Sequence, residues 1–129
     1  MKLKIYQIDA FTDTLFKGNP AAVIPLKEWL TGKDMKLIAA ENNLSETAFF
    51  KKEGNFFHIR WFTPKSEVEL CGHATLASAF VIFKIFKINS DIIRFQSLSG
   101  ILKVKIIDDL ITLNFPSQKL FRKNKIPSL

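Results

Sequence analysis

The chain has 129 residues, a formal net charge of +7 and 47% hydrophobic residues, and 13 of its residues are phenylalanines. This length and apolar content predict one domain with a sizeable core and exclude two lobes of ordinary size. The three arginines, Arg60, Arg94 and Arg122, are dispersed, whereas nucleic-acid-binding proteins usually cluster basic residues beside stacking aromatics. We therefore expect no nucleic-acid partner.

The sequence also argues against insertion into a membrane and against secretion. Its longest uncharged helix-like stretch, Ala74–Phe83, is far shorter than the roughly 20 residues of a membrane-spanning helix. Near the N-terminus, Gln7 and Asp9 interrupt the apolar run that a secretory signal requires. Cys71 is the only cysteine and cannot form an internal disulfide. These features favour the reducing environment of the cytoplasm.

The first half of the chain alternates between strand-like and helix-like patterns. Two strands are predicted at residues 3–11 and 19–25, separated by a glycine- and proline-containing turn. Thr31 and Asp34 form a capping-box-like start of a helix that Asn42 and Asn43 end. The helix presents one apolar face, made of Met35, Ile38 and Ala39.

A β-hairpin is predicted next, with strands at residues 45–52 and 56–62 and a turn around Gly54. Strand alternation puts His58 and Arg60 on one face of its second strand. The opposite face carries Phe57, Ile59 and Trp61.

A helix that is apolar on all sides is predicted at residues 72–86, and such a helix is normally buried. Strands follow at residues 92–96, 101–107 and 110–115. Together the elements predict an α+β fold, in which a curved, barrel-like antiparallel sheet wraps around a central apolar helix. Residues 117–129 form a basic C-terminal tail.

Cys71, Gly72 and His73 stand at the start of this central helix. A helix N-terminus presents unpaired amide groups, so the backbone N–H groups of Gly72, His73 and Ala74 could bind a carboxylate. His73 could be a catalytic group or, equally, a structural cap or a hydrogen-bonding core residue, and an isolated cysteine is by default a small buried hydrophobic residue. A Cys–His nucleophilic pair is disfavoured, because residues two apart at a helix start point in different directions.

Glu46 lies at the entrance of an otherwise apolar strand. A solvated glutamate at a strand end is one interpretation. Alternatively, a carboxyl group partly removed from water holds its proton more tightly and can serve as a general acid or base. Glu67 and Glu69 are predicted to be loop surface charges. His58 and His73 lack the spacing and companions of a zinc site, so no metal is predicted.

Several segments, taken in order, resemble the PhzF-like (phenazine-biosynthesis-like) family, a group of isomerases. They span nearly all of residues 1–116 and are DAFT (Asp9–Thr12), FKGNPAAV (Phe16–Val23), NLSETAF (Asn43–Phe49), RWFTP (Arg60–Pro64), EVELCGHATLASA (Glu67–Ala79), LSG (Leu98–Gly100) and ITLNFP (Ile111–Pro116).

The resemblance implies one lobe of a diaminopimelate-epimerase-like fold, in which two pseudo-symmetric lobes enclose an active-site cleft. It implies that Glu46 is the acid/base group, that Gly72 and His73 lie against the carboxylate of a small substrate, and that Cys71 matches the catalytic cysteine of related epimerases. The implied reaction is an isomerisation by proton transfer, without a metal or organic cofactor.

Members of this family run to about twice the present length, so the resemblance implies residues 1–116 as an N-terminal lobe only. Two interpretations follow. In the first, an isomerase site is completed by a second copy of the chain, as in a dimer, or by a separately encoded second lobe. In the second, the chain is a non-catalytic remnant that acts as an interaction or structural domain.

Overall fold

The computed structural model describes residues 2–8 and 20–114. The DAFT segment, the basic tail and the predicted turn at residues 17–20, apart from Pro20, lie outside them. Within the described residues there are eight strands, two α-helices and one π-helical turn. In chain order they are β1 (Tyr6–Ile8), β2 (Ala21–Leu26), α1 (Gly32–Asn42), β3 (Glu46–Glu53), β4 (Phe56–Phe62), β5 (Glu67–Val68), α2 (Gly72–Phe80), the π-helical turn (Val81–Ile85), β6 (Ile92–Ser97), β7 (Gly100–Ile107) and β8 (Leu110–Asn114).

The strands form one sheet in the order β1-β2-β3-β4-β6-β7-β8, with β5 paired to β4. The prediction of a curved sheet around a central helix is confirmed, but the sheet is mixed and not wholly antiparallel as predicted. β2 and β3 pair in parallel, and so do β4 and β6. A parallel pair needs a long crossover connection, and α1 and α2 with the π-helical turn supply the two crossovers.

The two faces of the sheet bury different parts of the sequence. Facing α2, the inner face of β4 carries Phe57, Ile59 and Trp61, as predicted, and all three are buried. The outer face packs against α1 through a second cluster that contains Phe49 and Phe62. The sheet is therefore sandwiched between the two helices over its central strands.

Helix α1 begins and ends as predicted. The Asp34 amide donates a 3.0 Å hydrogen bond to Thr31 Oγ1, which caps the N-terminus. Asn43 ends the helix in the left-handed conformation, with φ of 53°. Met35 and Ala39 are buried against the outer face of the sheet.

Helix α2 runs through the concave side of the sheet and contacts β2, β3 and β8. Alanines occupy buried positions along it, so the helix can approach the strands closely. The predicted helix of residues 72–86 departs from α-helical geometry after Phe80, where a π-helical turn follows and the Phe86 amide donates to the Val81 carbonyl.

Candidate functional site

Glu46 is the first residue of β3 and is partly buried. Strand alternation puts it on the same face as Ala48 and Phe50, which belong to the core around α2. Among residues 2–8 and 20–114, its Oε1 is the one buried side-chain nitrogen or oxygen atom without a hydrogen-bond partner. Buried polar atoms normally have a hydrogen-bond partner, so this carboxylate oxygen is available to accept a hydrogen bond from a ligand or from water.

Cys71 is the N-cap residue of α2, and the residue is 6% exposed. Burial is the main cause that raises the pKa of the Cys71 thiol to about 12; the negative charge of Glu46 adds to the shift, and hydrogen bonds from the amides of Ala74 and His73 oppose it. The thiol therefore lies within electrostatic range of Glu46 and beside the amides of the first helical turn. At neutral pH it is protonated.

The first turn of α2 carries the other predicted site residues. Gly72 and Ala74 are buried, and His73 is partly buried. The negative charge of Glu46 acts on the thiol of Cys71, which is the residue that precedes this turn. The family resemblance implies that Glu46 and His73 face one cleft, and this stays a prediction.

Sequence reasoning missed a buried link between the sheet and this turn. The indole nitrogen of Trp61 donates a 2.9 Å hydrogen bond to Thr75 Oγ1, and that hydroxyl donates a 2.7 Å bond to the Cys71 carbonyl. A tryptophan on the inner face of a strand, followed by a threonine in an apolar helix, is the signal that could have indicated it, because a buried indole N–H needs an acceptor.

Glu67 was predicted to be a loop surface charge, and this is wrong. It lies in β5 and accepts two 2.8 Å hydrogen bonds from Arg60, one from Nε and one from Nη2. The hydrogen bonds to Glu67 raise the pKa of Arg60, whose guanidinium also lies 5.9 Å from the ring of Trp29 and 5.8 Å from that of Phe62. The pairing of β5 with β4 brings the carboxylate to Arg60, and the spacing of the two residues in the sequence does not reveal this pairing. Glu69 is exposed, as predicted.

Groups of His, Cys, Asp and Glu that could together hold a metal ion are not found within the described residues. In the same part of the chain, neither helix has the length and apolar character needed to cross a bilayer.

A model of the phenazine biosynthesis-like protein family matches residues 8–125. The chain belongs to this family. An uncharacterised isomerase of Pseudomonas aeruginosa is 49% identical over 118 residues, which cover 92% of this chain and 45% of that protein. A phenazine biosynthesis-like domain-containing protein of Rattus norvegicus is 50% identical over 130 residues, which cover 94% of this chain and 45% of that protein.

The crystal structure of a PhzF-family protein from Enterococcus faecalis matches with a TM-score of 0.81 at 50% identity, and the match covers 86% of this chain and 43% of that one. The family resemblance and the fold predicted from the sequence are thus confirmed. The chain spans about half the length of the curated relatives it matches.

Proposed function

We propose that this chain contributes one half of the active site of an isomerase that moves a proton within a small, carboxylate-bearing substrate. The observation that carries the proposal is the buried, unpartnered Oε1 of Glu46 at the start of β3. Membership of the phenazine biosynthesis-like family and similarity to a protein named an isomerase support it.

In the proposed reaction, the Glu46 carboxylate removes a proton from a carbon next to an activating group. The resulting carboxylic acid returns the proton to another carbon of the same molecule, so that no atoms are gained or lost. The reaction uses no metal or organic cofactor. The orphaned Oε1 supports this role, because it has no internal hydrogen bond to break before it accepts a substrate proton.

The start of α2 would bind the substrate carboxylate. Backbone N–H groups of Gly72, His73 and Ala74 belong to the first helical turn, where the helix dipole favours an anion. The imidazole of His73 would contact the same carboxylate region. Fixing the carboxylate beside Glu46 would hold the reacting carbon in place for proton removal.

Cys71 has a secondary role in this proposal. Because its pKa is raised to about 12, its thiol is protonated at neutral pH and is a poor base. The protonated thiol could donate a hydrogen bond towards Glu46, which is the acid/base group.

The remaining half of the cleft would come from a second lobe or from another copy of the chain in a dimer. The long relatives support the first source, because this chain aligns with less than half of each. We also place the protein in the cytoplasm, which agrees with a single, free cysteine.

The test measures proton exchange by NMR in heavy water over a panel of 2-amino, 2-oxo and β,γ-unsaturated carboxylates. The chain is assayed alone and together with the part of the Enterococcus faecalis relative that it does not cover. We expect Glu46→Gln to lower exchange by about 10²- to 10⁴-fold, the usual contribution of a general acid or base.

Glu41→Gln is the matched control, since Glu41 is an exposed glutamate on α1 and should leave exchange unchanged. Exchange that survives Glu46→Gln would rule out the assigned base. Absence of exchange from every folded combination would favour the alternative, a non-catalytic interaction domain.

A further inference from the structure

Trp61 lies between the strand that carries Glu46 and the start of α2. Its Cα pairs across the sheet with that of Ala48, two residues after Glu46, and both side chains belong to the inner-face core. Trp61 is fully buried, so its indole is held on all sides. Only one atom of its side chain needs a polar partner, and this is the indole Nε1.

Thr75 provides that partner and passes the contact on to the site. It is fully buried, accepts the hydrogen bond of Trp61 and donates its own proton to the Cys71 carbonyl. The same carbonyl also accepts the Thr75 amide at 3.1 Å. The carbonyl of the N-cap residue is therefore held by two donors of one residue, which is itself fastened to β4.

Ser78 shows what this arrangement adds. Its hydroxyl donates a 2.8 Å bond to the Ala74 carbonyl, the same four-residue pattern one turn later. No hydrogen bond to the sheet accompanies it among the described residues. Ser78 thus satisfies its own hydroxyl within the helix, whereas Thr75 fixes the helix to a strand.

We infer that Trp61 and Thr75 are positioning residues, which set the depth and rotation of the first turn of α2 relative to Glu46. Hydrogen bonds are directional, so this link restricts the helix start more tightly than apolar packing alone. The inference rests on the proposed function, because it concerns the geometry between the acid/base group and the carboxylate-binding amides. Neither residue contacts the substrate in this scheme.

The test compares Thr75→Val, which keeps the shape but removes the hydroxyl, with Thr75→Ser, which restores it. Trp61→Phe removes the donor instead. The controls are Ser78→Ala, which loses a buried hydroxyl on the same helix, and Thr47→Val, which loses a fully buried hydroxyl on β3.

Three measurements are made on each variant: urea unfolding, the rate of Cys71 alkylation by iodoacetamide in the native protein, and hydrogen exchange of the amides of residues 72–74. We expect Thr75→Val and Trp61→Phe to increase the rates of alkylation and amide exchange about tenfold beyond the increase expected from their change in global stability. Such an excess is what local opening of one helical turn would produce. Thr75→Ser should be close to the unmodified protein, and the controls should follow global stability alone.

If all five variants fall on one line of alkylation rate against global stability, the two residues are ordinary core residues and the inference is overturned. If Thr75→Val does not fold, the comparison of Thr75→Ser with Trp61→Phe remains. In the proton-exchange assay, Thr75→Val should lower kcat with little change in KM. Failure of the proposed function would appear separately, as exchange that does not depend on Glu46, while alkylation and amide exchange still decide the positioning role.

Discussion

The ionisation of the Cys71 thiol is opposed by its burial and by the negative charge of Glu46. The thiol is buried, and a neighbouring negative charge makes its thiolate still less favourable. The amides of His73 and Ala74 favour the thiolate but do not compensate. The thiol therefore holds its proton at neutral pH.

The raised pKa predicts the reactivity of Cys71. Since its pKa is raised to about 12, thiolate is scarce between about pH 7 and pH 9, and alkylation by iodoacetamide should be much slower than for an exposed cysteine of ordinary pKa, about 8.5. The rate should still rise with pH where an ordinary thiol has already levelled off. A profile that levels off below about pH 9 would contradict the raised pKa.

Removing the charge of Glu46 should shift that profile. Glu46→Gln eliminates a negative neighbour that raises the pKa of Cys71, so the pKa should fall and alkylation at a given pH should become faster. Glu41→Gln, on the exposed side of α1, serves as the control and should leave the profile in place. Identical profiles for both variants would show that the two groups are not coupled.

At the level of elements, β5 is the short strand that leads into the start of α2. It has only two residues, so its backbone pairing with β4 contributes little by itself. Arg60 and Glu67 hold it to β4 by two hydrogen bonds, and the Ser99 hydroxyl donates a 2.7 Å bond to the Glu69 carbonyl just beyond it. The approach of the chain to Cys71 is thus fastened from two sides.

Arg60→Lys tests this attachment. Lysine keeps the positive charge but loses the two-point geometry and the contacts with the rings of Trp29 and Phe62. Because both partners are partly exposed, we expect a loss of about 1 kcal/mol in the free energy of unfolding, measured by urea titration. Lys84→Gln breaks an ion pair with the exposed Asp109 and should change stability less. An equal effect of the two substitutions would indicate that Arg60 contributes only charge.

At the level of the whole molecule, β8 is the last strand of the described sheet, and the turn that joins it to β7 exposes two large apolar side chains. Ile107 is 59% exposed and Leu110 is 67% exposed, and the two are cross-strand partners at the β7–β8 turn. An edge strand with exposed apolar residues tends to pair with another chain, and a two-fold dimer is the commonest result.

We therefore expect the chain to self-associate at micromolar concentration, as measured by light scattering or sedimentation. The double substitution Ile107→Lys and Leu110→Lys should weaken association, because it places charge at this turn. Leu37→Lys, at an exposed position of α1, is the matched control. A monomer at the highest soluble concentration would contradict the prediction.

The sequence by itself determined the features that depend on near neighbours in the chain. The Thr31 cap, the end of α1 at Asn43 and the burial of alternate residues in β4 were all predictable, because side-chain period and capping are local properties. The family motifs likewise identified the fold and the candidate residues Glu46 and Cys71–Ala74.

Only the tertiary structure decided how distant segments meet. The parallel pairings depend on crossovers that return the chain to the same sheet. β1 begins later than predicted, because its pairing with β2 extends only to two residues before Pro25, which has no N–H to donate to a ladder. The Trp61–Thr75 bond joins residues 14 apart, and the orphaned Oε1 of Glu46 results from packing around it. Such contacts depend on where folding places separate elements, so a sequence pattern can suggest candidate partners but does not fix which ones meet.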